Sequence, residues 1–83
     1  AEEAAYNHQL GHVHWNRGDS KKALLYFQKA LDSKAVTESR NHIFLANLHN
    51  SIGAVYKTMG EYSKSLYFHE KAIQIQKQNP PSI

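Results

Sequence analysis

The chain contains no cysteine, one methionine, one tryptophan, two prolines and four glycines in 83 residues. Each scarcity excludes something. Without cysteine there are no disulfides, no thiol nucleophile and no thiolate metal ligand, a composition compatible with a reducing compartment. No apolar run approaches the roughly 20 residues that a membrane-spanning helix needs. The opening Ala1-Glu2-Glu3-Ala4-Ala5 lacks the basic and apolar segments of a signal peptide. A cytoplasmic protein, or a fragment of something larger, is expected. The formal net charge is only +3, with lysines spread along both halves. Nucleic-acid binding, which needs a concentrated basic stripe, is therefore not expected, nor is a membrane partner.

What is present is an internal repeat. Leu10-Gly11, Gly18-Asp19 and Lys29-Ala30 recur as Ile52-Gly53, Gly60-Glu61 and Lys71-Ala72, each 42 residues later. A period in this range marks an architecture of stacked supersecondary units. At this size a single core supplies only about 3–5 kcal/mol, so stacking, partners or self-association must add to stability.

Apolar spacing divides the chain into four helical stretches. The first runs from about Glu3 to Arg17, with Leu10, Val13 and His14 on one face, and stops at Gly18. Asp19 or Ser20 can cap a second, to about Ser33, through a side-chain oxygen offered to free backbone N–H groups. Its buried stripe is Ala23, Leu24, Phe27, Ala30 and Leu31. The third, from about Glu38 to Met59, carries Leu45, Leu48, Ile52, Val55 and Met59 at spacings of three and four. The fourth, from about Tyr62 to Gln78, buries Leu66, His69, Ala72 and Ile73 before Pro80-Pro81 stops it. Gly18 and Gly60 sit where turns require positive φ. Gly11 and Gly53 lie inside helices at a cost of about 1 kcal/mol each, which is tolerated when a neighbouring helix comes close. Ala30 and Ala72 are expected to match them on the second helix of each pair.

These residues resemble the tetratricopeptide repeat, a helical hairpin with Leu-Gly before an aromatic, then alanine ahead of a second aromatic. Leu10-Gly11-His12-Val13-His14 with Gly18 to Leu31, and Ile52-Gly53-Ala54-Val55-Tyr56 with Gly60 to Ile73, carry the likeness over nearly the whole chain. The 42-residue period, against 34 for the commonest form, resembles the kinesin light chain class, as does Tyr67-Phe68-His69-Glu70-Lys71-Ala72. Departures are Asn7 and His49 in place of tryptophan, His14 and His69 in place of aromatics, and Ser65 in place of alanine. The resemblance implies an all-α fold: two tandem helix-turn-helix hairpins, four antiparallel helices in a short right-handed α-solenoid. Repeat 1 covers about residues 3–34 and repeat 2 about 38–78, with a tail at 79–83. Between them no glycine or proline enforces a turn. Either a short turn forms near Ala35-Val36-Thr37, with Thr37 or Ser39 capping the next helix, or helices two and three fuse into one rod that exchanges hairpins between chains.

The resemblance further implies that the first helix of each repeat lines a concave groove for a peptide or partner helix. Helical spacing selects His8, Gln9, His12, Trp15 and Asn16 on helix one, opposite Leu10, Val13 and His14. On helix three it selects Asn47, Asn50, Ser51, Ala54, Lys57 and Thr58. With amides, histidines and Lys57 but no carboxylate, this surface is expected to prefer neutral or acidic segments. The same polarity is what any solvated helix face shows. Trp15 is either a hot spot of the groove or packs on Tyr6, Arg17 or a helix-two side chain. His8 and His12, four apart, have a spacing that can hold a transition metal. No carboxylate converges on them, so an opportunistic nickel or zinc ion is expected at most, with no built metal site and no cofactor. His14 and His69 are read as core histidines. No nucleophile elbow, phosphate loop or carboxylate pair is present, and no enzyme is expected. The alternative function is a self-assembling unit, a homo-oligomer formed through uncapped repeat ends.

Overall fold

The computed structural model describes residues 2–33 and 42–79. They form four helices: α1 (Glu2–Asn16), α2 (Ser20–Asp32), α3 (His42–Thr58) and α4 (Tyr62–Gln78), with no strand among the described residues. The helices pack as two hairpins, α1 on α2 and α3 on α4, joined by contact between α2 and α3.

Both hairpin turns are built the same way. Gly18 and Gly60 adopt φ of 80° and 81°, in the left-handed region that favours glycine. The Gly18 N–H donates to the Trp15 carbonyl at 3.0 Å and the Asp19 N–H to that of His14 at 2.9 Å. Gly60 and Glu61 repeat the pair with Lys57 and Tyr56, at 3.0 and 2.9 Å. This double bond pattern satisfies the last carbonyls of the first helix in each hairpin. A Cβ at Gly60 would meet nothing within 4 Å, so Gly60→Ala tests the backbone alone. It should cost about 1 kcal/mol in a urea melt. The helix after each turn starts differently. Asp19 caps α2 by accepting from the Lys22 N–H at 3.1 Å, whereas Glu61 makes no such bond and instead pairs with Lys64 at 3.6 Å.

Helix α2 ends at Ser33, whose backbone is extended (φ −65°, ψ 128°). A continuous rod through helices two and three is thereby broken. The expected turn at Ala35-Val36-Thr37, the caps at Thr37 or Ser39 and the stop at Pro80-Pro81 lie outside the described residues.

Phe27, Leu48, Ile52 and Val55 are the largest fully buried side chains, surrounded by Ala4, Ala23 and Ala30. Gly11 lets α1 close onto the Phe27 ring: a Cβ there would lie 2.5 Å from two ring carbons. Gly53 does the same for His69, whose Nε2 would be 2.7 Å away. Ala30 and Ala72 are the small residues expected to match these glycines on the second helix of each pair. Both alanines are buried, but each glycine seats a ring, Phe27 in the first hairpin and His69 in the second.

Two expected faces are also corrected. On α1, Ala4 and Gly11 are buried while Val13 is 47% exposed. On α4, Ser65 and Ala72 are buried while Leu66 and Ile73 are 60% and 49% exposed. Met59 lies beyond α3 and is exposed. The reason is that a stacked hairpin has two contact faces, and the apolar stripe contains both. One face holds the hairpin together and the other meets the next hairpin. Shifted by 42 residues, Val13 corresponds to buried Val55, and Leu66 and Ile73 correspond to half-buried Leu24 and Leu31 at the inner joint.

Candidate functional site: a cleft between the hairpins

Where α1 and α3 face each other across α2, a cleft of about 230 Å³ opens. His12 and Trp15 of α1, Phe27 of α2, and Asn50, Ser51 and Ala54 of α3 line it. The Phe27 ring sits at the bottom because Gly11 leaves room for it, so an aromatic read only as core also floors the cleft. Its one signal in the sequence was the glycine opposite.

The histidines of α1 are fixed by rings. His12 meets Phe27 edge-on at 5.1 Å between centroids. His8 lies between Phe27 at 5.6 Å and Phe44 of α3 at 5.2 Å, so one imidazole touches three helices. The His8 and His12 rings stand perpendicular, with their Nε2 atoms 3.3 Å apart. His14 points elsewhere and stacks flat on Tyr26 at 5.2 Å. Trp15 packs against the buried cluster as well as lining the cleft.

Across the cleft, Asn50 is anchored from behind. Its Oδ1 accepts from Nδ1 of His69 on α4 at 2.9 Å, because an amide oxygen can only accept. The Asn50 NH2 is the donor end of the same amide. His49 donates from Nδ1 to the Leu45 carbonyl at 2.9 Å, and Ser51 donates its hydroxyl to the Asn47 carbonyl at 3.1 Å.

Of the residues selected from the sequence, His12, Trp15, Asn50 and Ser51 line this cleft and His8 adjoins it. Ala54, noted on the same face, lines it too. Asn47 borders a separate cleft of about 300 Å³ with His42, Ile43, Ala46, Gln76 and Asn79. Gln9 lies on an outer surface with Glu3, Ala5 and Tyr6. Asn16 and Lys57 are exposed and outside these three surfaces.

Burial holds the His8 imidazole below its ordinary pKa of 6.5, and the neighbouring His12 adds to the effect. The unfolded chain therefore takes up this proton more readily than the folded one. Stability contributed here is present above about 6.5 and is lost as pH falls through that value toward the folded pKa. Melting temperature should drop on acidification over this window, and His8→Gln should flatten the drop. An unchanged slope in the variant would remove His8 as its source.

Paired antiparallel helices, ring-seating glycines and a cleft shared by consecutive hairpins define a helical-hairpin repeat protein. The tetratricopeptide repeat model matches residues 2–78, and the chain belongs to that family. No curated protein and no solved structure matches the chain. Members of the family generally mediate protein–protein interaction. Among the described residues, no helix is long and apolar enough to cross a membrane.

Proposed function

We propose that this chain is a non-catalytic interaction module that holds a peptide or helical segment of a partner protein in the cleft between α1 and α3. The observation that carries the reading is the composition of the cleft. A Phe27 floor and Trp15 wall supply apolar contact, Asn50 supplies an oriented donor, and none of the six lining residues is acidic. Such a surface holds a segment by burial and backbone hydrogen bonds, and it favours neutral or acidic occupants over basic ones. The 42-residue period supports repeats of the kinesin light chain type.

Peptides of matched length and apolar content but opposite charge, titrated into the chain by isothermal calorimetry, test this reading. Acidic peptides should bind more tightly, and Trp15→Ala should weaken binding by tenfold or more, as at other buried aromatic anchors. Equal binding of both charges would overturn the stated preference. Binding indifferent to Trp15→Ala would overturn the site.

A second reading, end-to-end association of copies, draws on a separate observation. Tyr6 and Val13 of α1 are 62% and 47% exposed, while their 42-residue counterparts Leu48 and Val55 are buried against α2. Leu66 and Ile73 of α4 expose the surface that α2 uses there. The outer faces of α1 and α4 thus carry the two halves of the inner joint. On this reading sedimentation mass rises with concentration, and Leu66→Glu abolishes the rise. A constant monomer mass would dismiss it.

A further inference from the structure

We infer that the hydrogen-bonded imidazole pair of His8 and His12 is the part of the cleft that reads an acidic side chain of the bound segment, and that it takes up a proton from solvent in doing so. The inference rests on the cleft of the proposed function and names the group that the cleft selects.

A bond of 3.3 Å between two Nε2 atoms requires one ring to hold its proton at Nε2 and the other to leave Nε2 bare. His8 is the less exposed ring, set between Phe27 and Phe44, and burial disfavours its charged form. His8 therefore accepts and His12 donates. The bond survives while the pair is neutral or holds one extra proton. A second extra proton removes the acceptor and sets two like charges side by side. Among the described residues no third histidine or carboxylate joins the pair to offset them. From α2 and α3 the groups packed on it are the uncharged rings of Phe27 and Phe44. The rest of the lining on α3, Asn50, Ser51 and Ala54, is not ionisable, and neither are the α1 neighbours Ala4, Ala5, Trp15 and Asn16. The one charge that acts on His8 is that of His12.

A carboxylate brought by the occupant reverses this balance. Its two oxygens accept from both Nε2–H groups, in charge-assisted bonds stronger than the neutral bond they replace. Its charge favours the protonated form of each ring. Nε2 of His8, bare in the free chain, acquires its proton from solvent as the carboxylate arrives. A binding step that takes up a proton tightens as pH falls, opposite in sign to the acid loss of stability expected of the free chain. The source is a side chain, because a segment lying across the Phe27 floor presents its side chains to His12 rather than its end.

The test titrates the chain by isothermal calorimetry with three peptides of equal length: an amidated one with a central glutamate, its amidated glutamine copy, and that copy with a free terminal carboxylate. Each is run near neutral pH in two buffers of different ionisation enthalpy, which counts the protons taken up. The glutamate peptide should take up about one proton and tighten by up to about tenfold for each unit that the pH falls. The glutamine copy should bind with no uptake, and His12→Gln should abolish the uptake seen with glutamate. Ring-nitrogen NMR of the parent chain locates the proton without any variant: Nε2 of His8 should move from the bare to the protonated range with the glutamate peptide alone. Binding of the glutamate peptide without uptake, or uptake with Nε2 of His8 left bare, would overturn this inference and leave the cleft reading standing. Uptake with the free-terminus peptide instead would overturn the assignment to a side chain. Failure of all three peptides to bind would overturn the cleft reading as well.

Discussion

Replacing Phe27 by alanine is expected to leave the chain largely unfolded at room temperature. Phe27 is 1% exposed and touches α1 through the Gly11 gap, His8 and His12. Removing a buried phenylalanine costs about 3–5 kcal/mol, against about 3–5 kcal/mol of total stability for a core of this size. No local collapse can refill the space cheaply, because the residue facing the ring from α1 is a glycine. Circular dichroism with a urea titration checks this. A loss under about 1 kcal/mol would mean that Phe27 is not what holds α1 on α2.

Gly11→Ala carries the second large effect, and its sign is informative. By helix propensity, alanine should stabilise α1 by about 1 kcal/mol. The structure demands the opposite, because the new methyl carbon would sit 2.5 Å from Phe27 Cδ1 and Cε1. That ring is buried and cannot swing away as a flexible surface side chain could. Overpacking of this kind costs about 1–3 kcal/mol, so a net loss of about 1 kcal/mol or more is expected. Gly11→Val, which adds two further carbons at the same point, should lose more. The cause is separable by a double-mutant cycle: in a Phe27→Leu background the penalty of Gly11→Ala should shrink. A stabilising Gly11→Ala would show that α1 and α2 do not meet at this point.

The architecture was legible because its signals are local and repeated. Gly18 and Gly60 mark turns whose positive φ only glycine adopts without strain, and Asp19 marks a cap that a single side-chain oxygen completes. Gly11 and Gly53 announced close contact, but not with what. Their partners, Phe27 and His69, depend on the roll of one helix against another, which residue spacing does not fix. The same limit explains Val13, Leu66 and Ile73. A stripe wide enough for two interfaces reads as one buried face until it is known which interface has a neighbour. Of the candidate residues, His12, Trp15, Asn50 and Ser51 line the cleft because it lies on the side of α1 and α3 that helical spacing selects. Gln9, Asn47 and Lys57 share that side only loosely, since a helix turns about 100° per residue and a narrow cleft admits a small part of a face. The anchoring of Asn50 by His69 crosses from α3 to α4 and leaves no mark in the sequence.

The central claim is that the cleft between the hairpins is the surface that grips a partner. Amide NMR of the labelled chain, titrated with the tightest acidic peptide, tests it most directly. The account predicts shifts concentrated at His12, Trp15, including its indole N–H, Asn50, Ser51 and Ala54, with α4 residues such as Tyr67 and Lys71 unmoved. Shifts confined to the outer faces of α2 and α4, with the indole signal of Trp15 in place, would contradict it.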